Sequence, residues 1–255
     1  MRAPLLTLLA IGGCAVPADS FYDAAQIDDP AVGRCGWTRK YQPPIVYQES
    51  DHIRGYFEAT DLTAYRKAIA APFALPPRPL VRVTVLDFYE MANGPTYREA
   101  EVSILVLHRG EPGWFTLTMP VTDEDACGGG RSALGTPKVM RRVTLASGGG
   151  HFVGTVYALG GRAADFALTL DEAEADEQTR ELLRSLSSFP DLLIRERRIL
   201  TYDKPARESV TVRPGRAGLE SAPESLPARL GVGKAVAGYW ARVRQRFSIT
   251  PRYVD

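Results

Sequence analysis

The sequence predicts an α+β fold made mostly of antiparallel β-strands. About ten segments are rich in β-branched residues or alternate between apolar and polar residues, as half-buried strands do. The chain holds 19 prolines and 23 glycines in 255 residues, which indicates many turns. Three further segments have the period of short helices, so strands dominate the predicted architecture.

Helix and strand signals follow one another along the chain. Thr60-Asp61 caps a first helix that ends before Pro72. The box Thr122–Asp125 opens a second helix, and an amphipathic pattern over 172–187 predicts a third. A loop rich in Pro, Gly and Ser is expected at 214–227. The predicted strands cover 80–89, 97–108, 113–120, 139–146, 151–158, 162–170, 192–202, 208–213 and 236–249.

Composition excludes several classes of function. Apolar residues make up 45% of the chain and charged residues 24%, as in ordinary globular proteins, and the formal charge is +1. This balance argues against a nucleic-acid partner. His52, His108 and His151 are far apart in sequence, and no Cys-x-x-Cys pair occurs, so we expect no metal site.

The N-terminus has the pattern of a secretory signal. Arg2 precedes a short apolar stretch that ends in Gly12-Gly13-Cys14, and this ending resembles a bacterial lipobox. We therefore expect a signal peptide over 1–13, an acylated Cys14, and a protein that is anchored by lipid on the periplasmic side. Ala15, which is not aspartate, favours the outer membrane by the same resemblance. The alternative is a buried N-terminal strand with a chance cysteine.

Three regions follow from this pattern. We expect the signal peptide over 1–13, a tether that leads into the domain over 14–45, and one domain over 46–255. Without Cys14, two cysteines remain, Cys35 and Cys127. In an oxidising compartment they could form a disulfide, and otherwise they would be two unpaired, buried side chains.

One segment carries a candidate for chemistry. Lys138 ends the segment Gly130–Lys138, in which a Gly-x-Pro turn precedes the lysine, and Glu99 ends the upstream segment Gly94–Glu99. An amine that attacks a ketone must be neutral, so a lysine that forms a Schiff base needs a dry pocket or a neighbouring cation to lower its pKa. These residue types favour such a site.

The order of these motifs resembles acetoacetate decarboxylase. Members of that family show a Pro-Leu-Val-Arg segment, a Tyr-x-Glu strand and a Gly-Arg-Glu-x-x-Gly-x-Pro-Lys-Lys segment in the same order. Here the corresponding stretches begin at Pro79, Tyr97 and Gly130, and the likeness is clearest over 60–145. The resemblance implies a cone or barrel of strands around a closed cavity, with a few short helices.

The resemblance also implies roles for individual residues. Lys138 corresponds to the Schiff-base lysine and Glu99 to the active-site glutamate, which would position substrate or move protons. Arg131, Tyr97 and Thr84 are candidates for substrate binding. The implied activity is that of a decarboxylase or related carbon–carbon lyase that needs no cofactor and takes a small β-keto or 2-oxo acid. Assembly into a homo-oligomer is a further implication.

Departures from the family pattern leave the reaction open. The decarboxylases have a second lysine where this chain has Val139, and an acid where it has Thr84. Relatives with one lysine and one glutamate use the iminium for aldol condensation and dehydration, so an aldolase-dehydratase is one alternative. A second alternative is a non-catalytic lipoprotein that binds an apolar or carboxylated ligand. A third is a structural protein of the envelope whose pocket is filled by side chains.

Overall fold

A computed structural model of the chain describes residues 27–36, 45–202, 206–247 and 251–254. Four short helices lie among the strands of these ranges: α1 (Leu62–Ala68), α2 (Glu124–Gly129), α3 (Glu177–Ser188) and α4 (Leu226–Arg229). A π-helical turn, Gly130–Leu134, follows α2 directly. The strands are β1 (Ile45–Ala59), β2 (Leu80–Met91), β3 (Tyr97–His108), β4 (Glu111–Val121), β5 (Lys138–Met140), β6 (Val143–Gly148), β7 (His151–Tyr157), β8 (Ala164–Glu172), β9 (Asp191–Arg195), β10 (Arg198–Tyr202), β11 (Ala206–Ser221), β12 (Val232–Phe247) and β13 (Pro251–Tyr253).

The strands form one long, mostly antiparallel sheet, as the sequence predicted. Its order is β13-β10-β9-β4-β3-β2-β1-β12-β11-β8-β7-β6, and β5 adds to β4. The pairs β4–β5 and β4–β9 are parallel, whereas the other pairs are antiparallel. In the described part of the chain, no strand pairing joins β13 to β6, so the sheet is open where the resemblance implied a closed barrel.

The two faces of the central strands are buried in different ways. On one face, Val83 and Val85 of β2 and Val102 of β3 join the main apolar core, against which β7 and β8 fold back. The approach is close, because a Cβ added to Gly154 of β7 would lie 2.7 Å from Val85. Since side chains alternate along a strand, every second residue of β2 and β3 points the other way. That second face carries the candidate site.

The chain over 214–221 is strand, although its composition predicted a loop. β11 pairs with β12 as far as Pro214 and pairs with β8 from Gly215 onward. Pro and Gly therefore mark the corner at which one strand changes neighbours, which is a position that tolerates both residues. A side chain at Gly215 would meet the Asp171 carbonyl oxygen at 2.6 Å.

Two helix and strand boundaries also differ from the prediction. Asp123, and not Thr122, caps α2: its side chain accepts from the Ala126 amide at 2.8 Å. Thr122 Oγ1 instead accepts from the Arg98 amide at 2.9 Å. The predicted strand over 192–202 is two strands, because the chain turns at Glu196 and Arg197, both with positive φ.

The predicted signal peptide and Cys14 lie outside the described residues, as does most of the predicted tether. Within the described ranges, none of the helices has the length and apolar character that crossing a membrane would require. A disulfide joins Cys35 and Cys127, so the first of the two alternatives for these cysteines holds in the structure. It connects the segment over 27–36 to α2.

Candidate functional site

A cavity of about 170 Å³ lies on the face of the central strands opposite the main core. α3, the π-helical turn and the β9–β10 pair supply its other walls. Its lining combines apolar side chains with an unusual number of charges. The lining residues are His52, Arg54, Arg82, Leu86, Phe88, Tyr97, Glu99, Glu101, Met119, Leu134, Thr136, Lys138, Ser187, Phe189, Asp191, Tyr202 and Gln245.

Lys138 reaches this cavity because of the turn that precedes it. The π-helical turn ends at Gly135, which has φ 68°, a left-handed conformation that glycine adopts without strain. The chain then enters β5, where Lys138 lies beside Met119 of β4. π-Helical turns are rare and often occur at functional sites. The turn that contains the Gly-x-Pro motif therefore directs the side chain of Lys138 into the cavity.

The amine of Lys138 meets a buried carboxylate. Its Nζ lies 2.5 Å from Oε2 of Glu99, and the two side chains are 9% and 8% exposed. Nζ also lies 5.5 Å from the centre of the Tyr97 ring. Burial raises the pKa of Glu99, and the charge of Lys138 opposes that rise only in part. Glu99 can therefore take up a proton more readily than a solvated glutamate.

A second carboxylate on the same strand has the opposite character. Burial alone would raise the pKa of Glu101, but the guanidinium groups of Arg82 and Arg54 hold it below the ordinary value. Glu101 accepts from Arg82 and from the Ser103 hydroxyl. Arg82 also pairs with Asp191 at 2.5 Å. The pKa values of these two neighbouring glutamates are thus shifted in opposite directions, which is a common feature of acid–base sites.

Arg54 is the other cation of the cavity wall. Its Nε donates to Thr84 Oγ1 at 2.9 Å, and its guanidinium stands 5.8 Å from the centre of the Tyr239 ring. Among the described residues it forms no ion pair. Thr84 is fully buried and does not line the cavity. It stands where the decarboxylases have an acid, and in this structure it accepts the hydrogen bond from Arg54.

Arg131 does not line the cavity either. Its Nε donates to the Lys138 carbonyl at 2.7 Å, and its Nη2 pairs with Asp28 at 2.9 Å. Asp28 also accepts from the amides of Cys35 and Met140. Arg131 therefore ties the backbone of Lys138 to the segment that the Cys35–Cys127 disulfide holds in place.

The structure thus brings Lys138, Glu99 and Tyr97 together around one cavity, whereas Arg131 and Thr84 are not among its lining residues. Sequence reasoning did not assign Arg54, Asp191 or Tyr202 to this site. Arg54 lies on β1, directly opposite Thr84 in the register, so a correct pairing of β1 with β2 would have found it. Asp191 and Tyr202 come from β9 and β10, and no sequence signal connects those strands to Lys138.

Comparison with known proteins decides the family. The model of the family described as acetoacetate decarboxylase (ADC) matches residues 37–250. The chain belongs to the acetoacetate decarboxylase family. The match spans most of the chain, including the whole of the cavity described above.

Individual relatives share only part of their sequence with this family member. An acetoacetate decarboxylase of Burkholderia cenocepacia (strain HI2424) is 30% identical over 125 residues, which are 48% of this chain and 50% of that protein. The chain therefore spans about half the length of the curated relatives it matches. Acetoacetate decarboxylase from Legionella pneumophila is 16% identical, with a TM-score of 0.69 over 86% of this chain and 91% of that one. The enduracididine biosynthesis enzyme MppR, complexed with the condensation product of pyruvate and imidazole 4-carboxaldehyde, is 12% identical, with a TM-score of 0.63 over 85% and 91%.

Gly130 makes room for the catalytic candidate of this family member. A Cβ at that position would lie 2.6 Å from Cδ of Lys138 and 2.7 Å from Oγ1 of Thr136. We expect Gly130→Ala to push the lysine side chain aside. If Lys138 forms a Schiff base, this variant should slow its reductive trapping by acetoacetate and borohydride about 100-fold. Gly148→Ala is the control, because Gly148 has open space around it. Trapping of Gly130→Ala at the wild-type rate would show that the lysine does not need this space.

Proposed function

We propose that this family member is a carbon–carbon lyase that acts on a small oxo acid through a Schiff base at Lys138. The observation that carries the proposal is the position of the Lys138 amine, buried in a cavity and 2.5 Å from the Glu99 carboxylate. An ammonium group cannot attack a carbonyl, so the nucleophile needs a neighbour that accepts its proton. Glu99 is that neighbour, since its raised pKa favours the protonated carboxyl.

The chemistry follows from a neutral amine at this position. Nζ of Lys138 adds to the ketone carbon, and loss of water gives an iminium ion. In a β-keto acid, the electron pair of the bond to the carboxylate then moves toward the iminium nitrogen, so carbon dioxide leaves and an enamine remains. Protonation of the enamine carbon and addition of water release the ketone and restore the amine. Glu99 is placed to carry the protons of these steps.

Two side chains are suited to hold the substrate in this pathway. Arg54 faces the cavity and has no ion pair among the described residues, so it can bind the substrate carboxylate. Thr136 Oγ1 is buried and has no hydrogen-bond partner in the described structure, so it can bond a polar group of the ligand. Tyr97, Phe88 and Leu86 supply apolar wall, which limits water around the iminium.

A second reaction, aldol condensation followed by dehydration, is favoured by one observation. Val139 stands at the position of the second lysine of the decarboxylases, and its side chain lines a different pocket from that of Lys138. Val139 therefore brings no second amine to the cavity, and Glu99 remains a neighbour that can accept the proton of Lys138. The bound condensation product described for MppR shows that a protein of this fold holds such a compound.

Product analysis separates the two reactions. The purified protein is given acetoacetate, or pyruvate with an aromatic aldehyde, and both carbon dioxide and the condensation product are measured. Carbon dioxide from acetoacetate supports decarboxylation, and an unsaturated condensation product supports the aldolase-dehydratase. Neither product, with a panel of oxo acids and a folded protein, would overturn the lyase proposal.

We also propose that the protein is exported and anchored by lipid at Cys14, with the outer membrane as its site. The disulfide between Cys35 and Cys127 supports an oxidising compartment. Labelled palmitate should be incorporated into the wild-type protein and not into Cys14→Ser. Equal labelling of the two proteins would refute the anchor.

A further inference from the structure

A groove of about 370 Å³ lies on the outer side of the Lys138 cavity, between α3 and the strands β11 and β12. Its floor is apolar, and three arginines stand around it. The lining residues are His52, Arg54, Arg180, Leu183, Arg184, Ser187, Val212, Pro214, Tyr239, Ala241 and Val243.

The groove and the cavity are adjacent. His52, Arg54 and Ser187 line both, so these three side chains form the wall between them. His52 bonds Ser50 at 2.9 Å, and Ser187 lies 3.2 Å from the Tyr56 hydroxyl. The two spaces therefore meet at these three side chains.

The three arginines of the groove differ in the ion pairs that they form. Arg180 and Arg184 on α3 both pair with Glu177, at 3.7 Å and 2.6 Å. Arg54, in the shared wall, forms no direct ion pair among the described residues, although its charge lowers the pKa of Glu101, and it donates one hydrogen bond to Thr84. An anionic group is therefore best placed at Arg54. The remaining surface, formed by residues such as Leu183, Tyr239 and Val243, suits an apolar chain.

We propose that the substrate is an oxo acid with an alkyl or aryl substituent, and that the substituent lies in this groove. This inference rests on the proposed function for the identity of the reacting group. The oxo group faces Lys138, the carboxylate binds Arg54 in the shared wall, and the substituent extends outward between α3 and β12. A cavity of about 170 Å³ is small, whereas the groove adds space that acetoacetate would leave empty. The groove would thus determine substrate specificity.

Saturated carboxylates test the groove without any chemistry at Lys138. Calorimetry would compare octanoate with butyrate on the wild-type protein and on two tryptophan variants of β11. Val212 lines the groove and is 51% exposed, so Val212→Trp narrows the groove without forcing bulk into the core. Val210→Trp is the matched control, because Val210 is on the same strand, is 39% exposed and does not line the groove.

We expect the wild-type protein and Val210→Trp to bind octanoate at least about tenfold more tightly than butyrate, because each buried methylene adds roughly a threefold to fourfold gain. Val212→Trp should lose most of that preference while its thermal unfolding stays as in the wild type. Equal binding of the two acids by the wild-type protein, or equal losses in both variants, would overturn the proposal.

Borohydride trapping with acetoacetate on the same samples keeps the two claims apart. An octanoate preference that depends on Val212, without an adduct on Lys138, would support the groove and refute the Schiff base. An adduct on Lys138 without any chain-length preference would support the Schiff base and refute the groove.

Discussion

Replacing Lys138 with methionine is expected to reduce kcat/KM for oxo-acid turnover roughly 10³-fold or more, because the group that we propose to form the bond to substrate is lost. Methionine has a similar length and no charge, so the apolar wall around Tyr97 and Phe88 is kept. Steady-state assays of whichever product the wild-type protein forms would measure the change.

The control for this variant is Lys67→Met. Lys67 is exposed on α1 and lies away from the cavity, so its loss should leave turnover within about twofold of the wild type. Circular dichroism of both variants checks that they are folded. If Lys138→Met kept more than a tenth of the wild-type activity, the reaction would not pass through this lysine.

Arg82→Met is expected to lower the free energy of unfolding by about 3–5 kcal/mol, the usual cost of leaving a buried charge without its partner. The side chain of Arg82 is 3% exposed and holds both Glu101 and Asp191. Urea denaturation would measure the loss. The control is Arg78→Met, which removes an exposed pair with Glu58 and should cost no more than about 1 kcal/mol.

The same network predicts how stability depends on pH. The folded-state pKa of Glu101 lies below 4.5, the ordinary value for a glutamate. Its contribution to the free energy of unfolding is therefore fully present above pH 4.5 and is lost as the pH falls through the lowered pKa. The wild-type protein should therefore lose stability in that acid range more steeply than Arg82→Met does. Equal costs of Arg82→Met and Arg78→Met, or parallel pH curves, would show that the buried pairs contribute little.

The pair at the centre of the site could be predicted from sequence because the ordered motifs that carry both residues resemble those of the acetoacetate decarboxylase family. Lys138 follows a Gly-x-Pro turn, and Glu99 lies two residues after Tyr97 on a strand with clear alternation. Residues close in sequence decide the conformation of a turn and the alternation of a strand. The direction of these two side chains can therefore be predicted without knowledge of the rest of the fold.

The remaining members of the site depend on long-range pairing, which the sequence does not reveal. Arg54 reaches the cavity through the register of β1 against β2, and Asp191 through the parallel pairing of β9 with β4. Shifting a strand by one residue would move such a side chain to the opposite face. The segment that carries Asp28 is anchored to α2 by a disulfide, and the sequence left that bond undecided.

Strand β11 shows how composition alone can mislead. Pro214 and Gly215 are typical loop residues, yet they lie where β11 leaves β12 and joins β8. Proline cannot donate to a ladder, and glycine allows a close backbone approach, so both suit a corner in a continuing strand. The sequence signal for a corner and that for a loop are the same.

Reductive trapping tests the central claim, a Schiff base at Lys138, most directly. The chain has five lysines, Lys40, Lys67, Lys138, Lys204 and Lys234, so four of them serve as internal controls in one digest. After treatment with acetoacetate or pyruvate and borohydride, the adduct should block trypsin at Lys138 and leave the peptide Ser132–Arg141 uncut, with loss of activity in proportion. No adduct at Lys138, or equal labelling of the other lysines, would contradict the mechanism.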